Sequence, residues 1–350
     1  MSRISHDICD LLDVPHRAPD SSRRETAQFI DNLPGDQPPT SSVAGVAFSH
    51  PLRHGSNPPM PSQRLLTSAP TRAKRRIILA GGSGFLGGLL ASYFNGQGWE
   101  VVVLSRRAAP DQVAGDVLTW DGRTLGGWTT ALDGADAVIN LAGRSVNCRY
   151  HAHNRRLMMD SRVDATRVIG EAIARCANPP RVWLNFSTST IYKHTFCHAW
   201  DEAGEIGATP EARDAFSIEV ATAWESAFNA APTPRTRKVA LRSAMVFGLN
   251  ADANNVYRVL RRLVRFGLGG CMGSGRQFVS WIHEADFCRA VEFLIERDDL
   301  SGPVNLAAPN PLTNAEMMRT LRKVLRMPVG LPPPNGCSNL AHSFSAPRPN

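Results

Sequence analysis

Seven residues, Gly81-Gly82-Ser83-Gly84-Phe85-Leu86-Gly87, join an apolar run at Arg75–Ala80 to a helical stretch that continues to about Gly98. Glycines at 81, 84 and 87 in that setting constrain the fold more than any other feature of the chain. The first permits a tight turn out of a strand, the second lets a ligand approach the backbone, and the third allows helix and strand to pack closely. Free N–H groups at the helix start, reinforced by the helix dipole, favour phosphate there. Glycines also gather in ordinary turns, but a strand-to-helix junction in the first βαβ unit is where a dinucleotide fingerprint belongs. Gly81, Gly84, Phe85, Leu86 and Gly87 are therefore expected to cradle a dinucleotide diphosphate.

The middle of the chain has the rhythm such a site requires. Short apolar runs at Glu100–Ser105, Asp116–Trp120, Asp136–Leu141, Val182–Phe186 and Lys238–Val246 are interleaved with helical patterns at about Asn154–Cys176 and Ala215–Ala230. Strands alternating with helices predict a parallel sheet covered on both faces, a doubly wound α/β fold of Rossmann type. Further on, Val256–Phe266 and Glu284–Glu296 read as helices and Val304–Ala307 as a strand. Thr313 reads as the N-cap of a last helix through about Leu325. The chain divides into a disordered extension over 1–74, a nucleotide-binding domain over 75–250, elements of a small substrate lobe over 251–330, and a disordered or truncated tail over 331–350. Both ends are so read because they are rich in Pro and Ser without sustained apolar periodicity, and such segments do not offset chain entropy. A helical turn is expected near Thr26–Leu33.

The second strand, Val101-Val102-Val103-Leu104, delivers its C-terminal end to the adenosine ribose. An NAD site usually places Asp or Glu there, whereas this chain has Ser105-Arg106-Arg107. Two guanidinium groups suit a 2′-phosphate, which they grip bidentately. NADP is therefore the expected cofactor, with Ser105, Arg106 and Arg107 at its phosphate. Asp121, after the third strand, either reaches the adenine or closes a surface turn with Gly122. Leu141-Ala142-Gly143 closes the fourth strand with small residues against which the cofactor can lie.

Composition excludes other classes. Hydrophobic residues at 43% and charged residues at 20% supply an ordinary core and surface. The net charge of +8 is spread along the chain, with local clusters at Arg72–Arg76 and Arg258–Arg265 and no helix-turn-helix, zinc-finger or RNP signature. A nucleic-acid partner is not expected. No apolar run approaches the roughly 20 residues that span a bilayer, so no membrane association is expected. Seven scattered cysteines without a CxxC pair argue against a disulfide framework and fit a reducing cytoplasm. No metal is expected, because His151, His153, His194 and His198 lack thiolates or carboxylates at ligand spacing. The absence of a Gly-x-Ser-x-Gly elbow disfavours a serine hydrolase.

Further blocks follow in order. They are Asp136–Gly143, Ser161–Thr166, Trp224-Glu225, Leu241-Arg242, Val246-Phe247-Gly248, Gly269–Asp286 with its Ser280-Trp281-Ile282-His283, then Asn305, Ala308-Pro309 and Pro311–Asn314. With the glycine loop, they make the chain resemble the extended short-chain dehydrogenase/reductase superfamily. It resembles more closely the atypical, NAD-dependent epimerase/dehydratase-like branch called epimerase family proteins, whose substrate is uncertain. The resemblance runs through most of Arg75–Pro328. It implies a Rossmann domain with a small C-terminal substrate lobe and a small-molecule substrate, carbonyl or sugar-like, and it sets no oligomeric state.

Active members of the wider superfamily use a Tyr-x-x-x-Lys pair with a Ser or Thr. The Lys and the cofactor ribose lower the Tyr pKa so that the phenol acts as acid and base, while the hydroxyl residue bonds the reacting oxygen. Ser187-Thr188-Ser189 ends the fifth strand, where that hydroxyl belongs, and Ser189 or Thr188 is the expected residue. The pair itself is missing. Counting back from Glu225, which resembles the Glu eight residues after the usual Tyr, lands on Ser217 and Ala221. Tyr192 and His283 are the other candidates for proton transfer, although a helix-start histidine opposite Asp286 also reads as structural. Arg242 either holds an anionic substrate or pairs with a carboxylate, and Gly269–Gln277 is expected to lay a flexible loop over the cofactor. Two functions stay open: an NADP-dependent oxidoreductase or nucleotide-sugar-type epimerase/reductase, and a non-catalytic NADP-binding redox sensor or scaffold.

Overall fold

The computed structural model describes residues 74–107, 114–146, 148–212, 214–248 and 255–332. The expected N-terminal extension, its turn at Thr26–Leu33, and the tail from residue 333 lie outside the described residues. In chain order the elements are β1 (Arg76–Ala80), α1 (Phe85–Gly96), β2 (Glu100–Ser105), β3 (Asp116–Thr119), β4 (Ala137–Asn140), α2 (Ala152–Arg175), β5 (Val182–Thr188) and α3 (Ala215–Ala230). Then come β6 (Arg237–Ser243), β7 (Met245–Phe247), α4 (Val256–Arg265), β8 (Phe278–Val279), β9 (Trp281–His283), α5 (Glu284–Glu296), β10 (Gly302–Leu306), β11 (Leu312–Thr313) and α6 (Asn314–Val324).

Seven strands form one parallel sheet in the order β10-β6-β5-β4-β1-β2-β3. Alternate residues of β1 serve opposite faces, as the period of a strand dictates. Ile77 and Leu79 join Leu90 and Phe94 of α1 and Phe287, Val291 and Leu294 of α5. Ile78 and Ala80 join Ile169 and Ile173 of α2 and Phe228 of α3. On that second face Trp183 meets Phe228 edge-on at 4.6 Å between ring centroids. Each such large side chain stabilises the fold by about 1.5–3 kcal/mol on burial. Because both faces are covered, β1, β2 and β4 read as unbroken apolar runs.

β1 is flanked by β2 on one side and β4 on the other, so the chain crosses in opposite directions from this strand. The crevice at such a reversal, outside the C-terminal ends of the strands, is where doubly wound sheets bind ligands. The glycine turn sits there.

A separate apolar cluster of Phe247, Leu260, Val264, Met272, Met317 and Met318 forms the C-terminal lobe around α4 and α6. Two small ladders brace it, β7 parallel to β9 and β8 antiparallel to β11. The cut at residue 250 is not a clean one. Within 251–330, α5 packs on the main sheet and β10 pairs with β6 from Gly302↔Val239 to Leu306↔Ser243. Gly269–Gln277, expected as a loose loop, is seated on α6: the Met272 amide donates to Asn314 Oδ1 at 2.7 Å and the Ala315 amide to the Gly275 carbonyl at 3.0 Å. Leu331, placed by sequence in the tail, exchanges backbone hydrogen bonds with Gly267 and Gly270.

Candidate functional site

The three glycines of the β1–α1 turn are required for different reasons. Gly81 adopts φ +73°, and a β-carbon on it would lie 2.6 Å from Ala142 Cα, so the ends of β1 and β4 touch backbone to backbone. A β-carbon on Gly87 would lie 2.2 Å from the Gly82 carbonyl oxygen, closing helix against turn. Gly84 differs: a β-carbon there would meet nothing within 4 Å. Gly84 is also the N-cap of α1, and no side chain caps it. Phe85 and Leu86 pack on the core and hold the helix start in place. Free amides, the positive helix end and room above Gly84 together suit a diphosphate, which is what the residues of a dinucleotide cradle must provide.

At the end of β2, the buried Ser105 hydroxyl accepts from the Arg107 amide at 3.2 Å, leaving the side chains of Arg106 and Arg107 exposed. Among the described residues neither arginine forms an ion pair. Arg106 lines an open pocket of about 460 Å³ with Thr119, Trp120, Asp121 and Trp128. The Asp121 carboxylate accepts from the amides of Arg123 and Thr124, each at 2.8 Å, and from the Thr124 hydroxyl at 2.7 Å. Those bonds, the Thr124 amide first, pull its pKa down to about 2. Asp121 closes a surface turn with Gly122 at φ +74°.

The β4 end is fixed from beneath. Asn140 Nδ2 donates to Asn185 Oδ1 at 2.7 Å and to Thr166 Oγ1 at 3.0 Å, while its Oδ1 accepts from the Ala142 amide at 3.1 Å. Trp224 Nε1 donates to the same Thr166 oxygen at 2.9 Å. This fully buried network sets the path of Leu141, Ala142 and Gly143 beside the glycine turn. A buried polar network is rigid only when every member is satisfied, as here.

The β5 side is organised by charge. Ser217, Ala221 and Glu225 follow one another at intervals of four and share a face of α3. Ala221 is buried against Ile191 and Tyr192. Glu225 takes a two-pronged bond from Arg242, Nε to Oε1 at 2.9 Å and Nη2 to Oε2 at 2.8 Å, and accepts from the Ser187 hydroxyl at 2.6 Å. Arg242 Nη1 donates to the Tyr192 hydroxyl at 2.9 Å, and that hydroxyl donates to Asn305 Oδ1 at 2.8 Å. The Asn305 amide ends the chain on the Glu202 carboxylate at 2.7 Å. The bond to Glu225, first among its causes, raises the Arg242 pKa. Arg242 therefore realises its ion-pair reading, and Tyr192 is a buried bridge between β6 and β10.

Ser189 stands apart. It opens a 3-10 turn at the end of β5, half-buried, and its hydroxyl makes no hydrogen bond to another described residue. Thr188 Oγ1, by contrast, is engaged with the amide and hydroxyl of Thr190. His283 caps α5, its Nδ1 accepting from the Ala285 amide at 3.2 Å, while Asp286 pairs with Arg289. Sequence reasoning missed Ser187 and Glu202 as members of the charged chain. Their partners lie far away in sequence, Glu202 being 103 residues from Asn305, and no spacing rule joins them. Among the described residues no cluster of three or more His, Cys, Asp or Glu could hold a metal, and no helix is long and apolar enough to cross a membrane.

The sequence profile of the NAD dependent epimerase/dehydratase family matches residues 77–307. The chain belongs to that family. Its relatives include epimerase family protein SDR39U1 of Bos taurus, 33% identical over 264 residues, which covers 74% of this chain and 84% of that protein. The Homo sapiens protein of the same name is 32% identical over 263 residues, with the same coverage. Epimerase family protein YfhF of Bacillus subtilis is 29% identical over 74% of this chain and 82% of its own. The crystal structure of human SDR39U1 (isoform 2) with NADPH superposes with a TM-score of 0.63 at 29% identity, covering 77% of this chain and 85% of that one. MoeE5 in complex with UDP-glucuronic acid and NAD shares the fold, with a TM-score of 0.61 at 19% identity over 78% of this chain and 94% of that one.

Proposed function

We propose that this family member binds NADP and is an oxidoreductase or nucleotide-sugar-type epimerase/reductase acting on a small carbonyl or sugar-like substrate. The observation that carries the reading is the room above Gly84 at an uncapped helix start, where a β-carbon would meet no described atom within 4 Å. Gly81, Gly84, Phe85, Leu86 and Gly87 frame the diphosphate. Ser105 shapes the turn that presents Arg106 and Arg107 to a 2′-phosphate, and Asp121 stiffens the adjoining turn. Leu141, Ala142 and Gly143 give the cofactor a flat wall. When bound, the nicotinamide supplies or accepts a hydride. Ser189, with its hydroxyl at liberty, orients the substrate oxygen. The relative solved with NADPH supports NADP over NAD as the cofactor.

Titration with NADPH and NADH, repeated on Arg106→Ala, tests the cofactor half. A marked NADPH preference that vanishes in the variant is the expected outcome, and equal affinity of the wild type for both would sink it. Screening carbonyl and sugar substrates by NADPH absorbance tests catalysis, with Ser189→Ala expected to abolish turnover. One observation favours a second reading, a non-catalytic NADP-binding sensor. The face of α3 offers only Ser217 and Ala221, and Tyr192, packed against Ala221, is already bonded to Arg242 and Asn305. Tight NADPH binding without oxidation of the cofactor by any substrate would select it.

A further inference from the structure

Arg162 and Arg242 flank Trp224 and Glu225 of α3, and among the described residues only Arg242 of the two has a carboxylate partner. Arg242 is clasped by Glu225. Arg162, on α2, lies over the Trp224 ring at 5.2 Å from its centroid and has no carboxylate partner among the described residues. The nearby acids are engaged elsewhere: Asp164 pairs with Arg123 at 3.2 Å, and Glu225 with Arg242. Of the five N–H donors a guanidinium carries, one is bonded to a described residue, Nη1 to the Met158 carbonyl at 3.0 Å.

The position of this charge is specific. Arg162 Cζ lies 3.1 Å from where a β-carbon on Gly143 would stand. Gly143 follows Ala142, which touches Gly81 of the diphosphate turn. The loop beside it is tied to α2 by the Arg144 amide, which donates to Ser161 Oγ at 2.9 Å. Surrounding atoms desolvate the guanidinium and bring its pKa down to about 10, so it still carries its proton at neutral pH. Arg162 is half-buried, and a partly desolvated cation without a counter-charge is costly unless an anion completes the site.

We infer that Arg162 binds an oxyanion, phosphate or carboxylate, over the end of β4, the group coming from the cofactor's diphosphate or from the substrate. The first source rests on the cofactor reading above, and the second does not. Arg162 thereby adds a side-chain cation to a cradle otherwise built from backbone, reaching it from the helix that follows β4. Only the free donors and the charge matter in this role, whereas mere packing on Trp224 needs neither.

The test uses Arg162→Gln and Arg162→Lys in the full chain, with three probes: NADPH, 2′-AMP, which lacks the diphosphate, and inorganic phosphate. If the diphosphate is the ligand, Arg162→Gln weakens NADPH about tenfold or more, leaves 2′-AMP unchanged, and Arg162→Lys recovers part of the loss. If the substrate supplies the anion, NADPH affinity is unchanged but phosphate no longer raises the melting temperature of Arg162→Gln as it does that of the wild type. Either result supports the assignment. NADPH and phosphate responses of Arg162→Gln both within about twofold of wild type overturn it, even if the variant melts lower, since Arg162 then only packs on Trp224. Should the wild type bind no NADPH, the cofactor proposal fails by itself. The phosphate response of the cofactor-free protein then still decides Arg162.

Discussion

The loops that follow β1 and β5 open at the same edge of one sheet and leave different things free. After β1, backbone fills the contacts at Gly81 and Gly87, and space is left at Gly84. After β5, side chains fill nearly everything: Ser187, Tyr192, Glu225, Arg242 and Asn305 are bonded to one another, and the Ser189 hydroxyl is left over. The first loop is specified by where a β-carbon cannot go, the second by where charges must meet. A site of the first kind is written in a few adjacent residues. A site of the second kind is assembled from five segments and has no local signature.

The largest effect should come from the charged side. Glu225→Ala leaves Arg242, whose side chain is 5% exposed, buried without its counter-charge. Denaturant unfolding should then register a loss of about 3–5 kcal/mol. A loss under about 1 kcal/mol would mean the network is not what holds β5, β6 and α3 together. Next comes Gly87→Ala, whose added carbon would press on the Gly82 carbonyl. Backbone cannot yield as a side-chain end can, so a cost of about 1–3 kcal/mol is expected in the same measurement. Ser189→Ala, on a hydroxyl bonded to no described residue, should change stability by less than about 0.5 kcal/mol while removing turnover. Loss of stability with turnover intact would move Ser189 to the structural side of the comparison.

The smallest effect is a pH dependence in the turn that follows β3. Asp121 has its pKa lowered from the ordinary 3.8 to about 2 by hydrogen bonds within its turn. A depressed carboxylate contributes stability that is whole above about pH 4 and is lost as pH falls through about 2. The Thr124 amide resonance should therefore titrate with a midpoint near 2, and one near 3.8 would show that the turn does not hold the carboxylate.

The contrast also explains what could be read from sequence. The parallel sheet, α1 to α3 and the glycine turn were legible because β1, β2 and β4 are apolar on both faces, and helix period and glycine spacing are local properties. The N-cap at Thr313 was legible for the same reason, and the structure adds the reciprocal bond with Glu316. The lobe was less so: β7, β8, β9 and β11 have two or three residues each, too short for any period to register. β10 returns to the main sheet by pairing with β6 and α5 by packing in the core beside α1, and neither leaves a mark in residues 251–330 themselves. Ser217 and Ala221 announced that the phenol and ammonium were absent. They could not announce that Tyr192 would pack against Ala221, or that Arg242 would bond both Glu225 and Tyr192.

Gly84→Val tests the central claim most directly, because a β-carbon there meets no described atom within 4 Å. Thermal unfolding of the cofactor-free variant and NADPH titration should be measured together. A melting temperature lowered by no more than a few degrees, as loss of a glycine N-cap dictates, with NADPH affinity reduced by about two orders of magnitude or more is expected, on the order of the cost of blocking several charge-assisted hydrogen bonds. A stably folded variant that binds NADPH as the wild type does would place the cofactor elsewhere, or nowhere, on this chain.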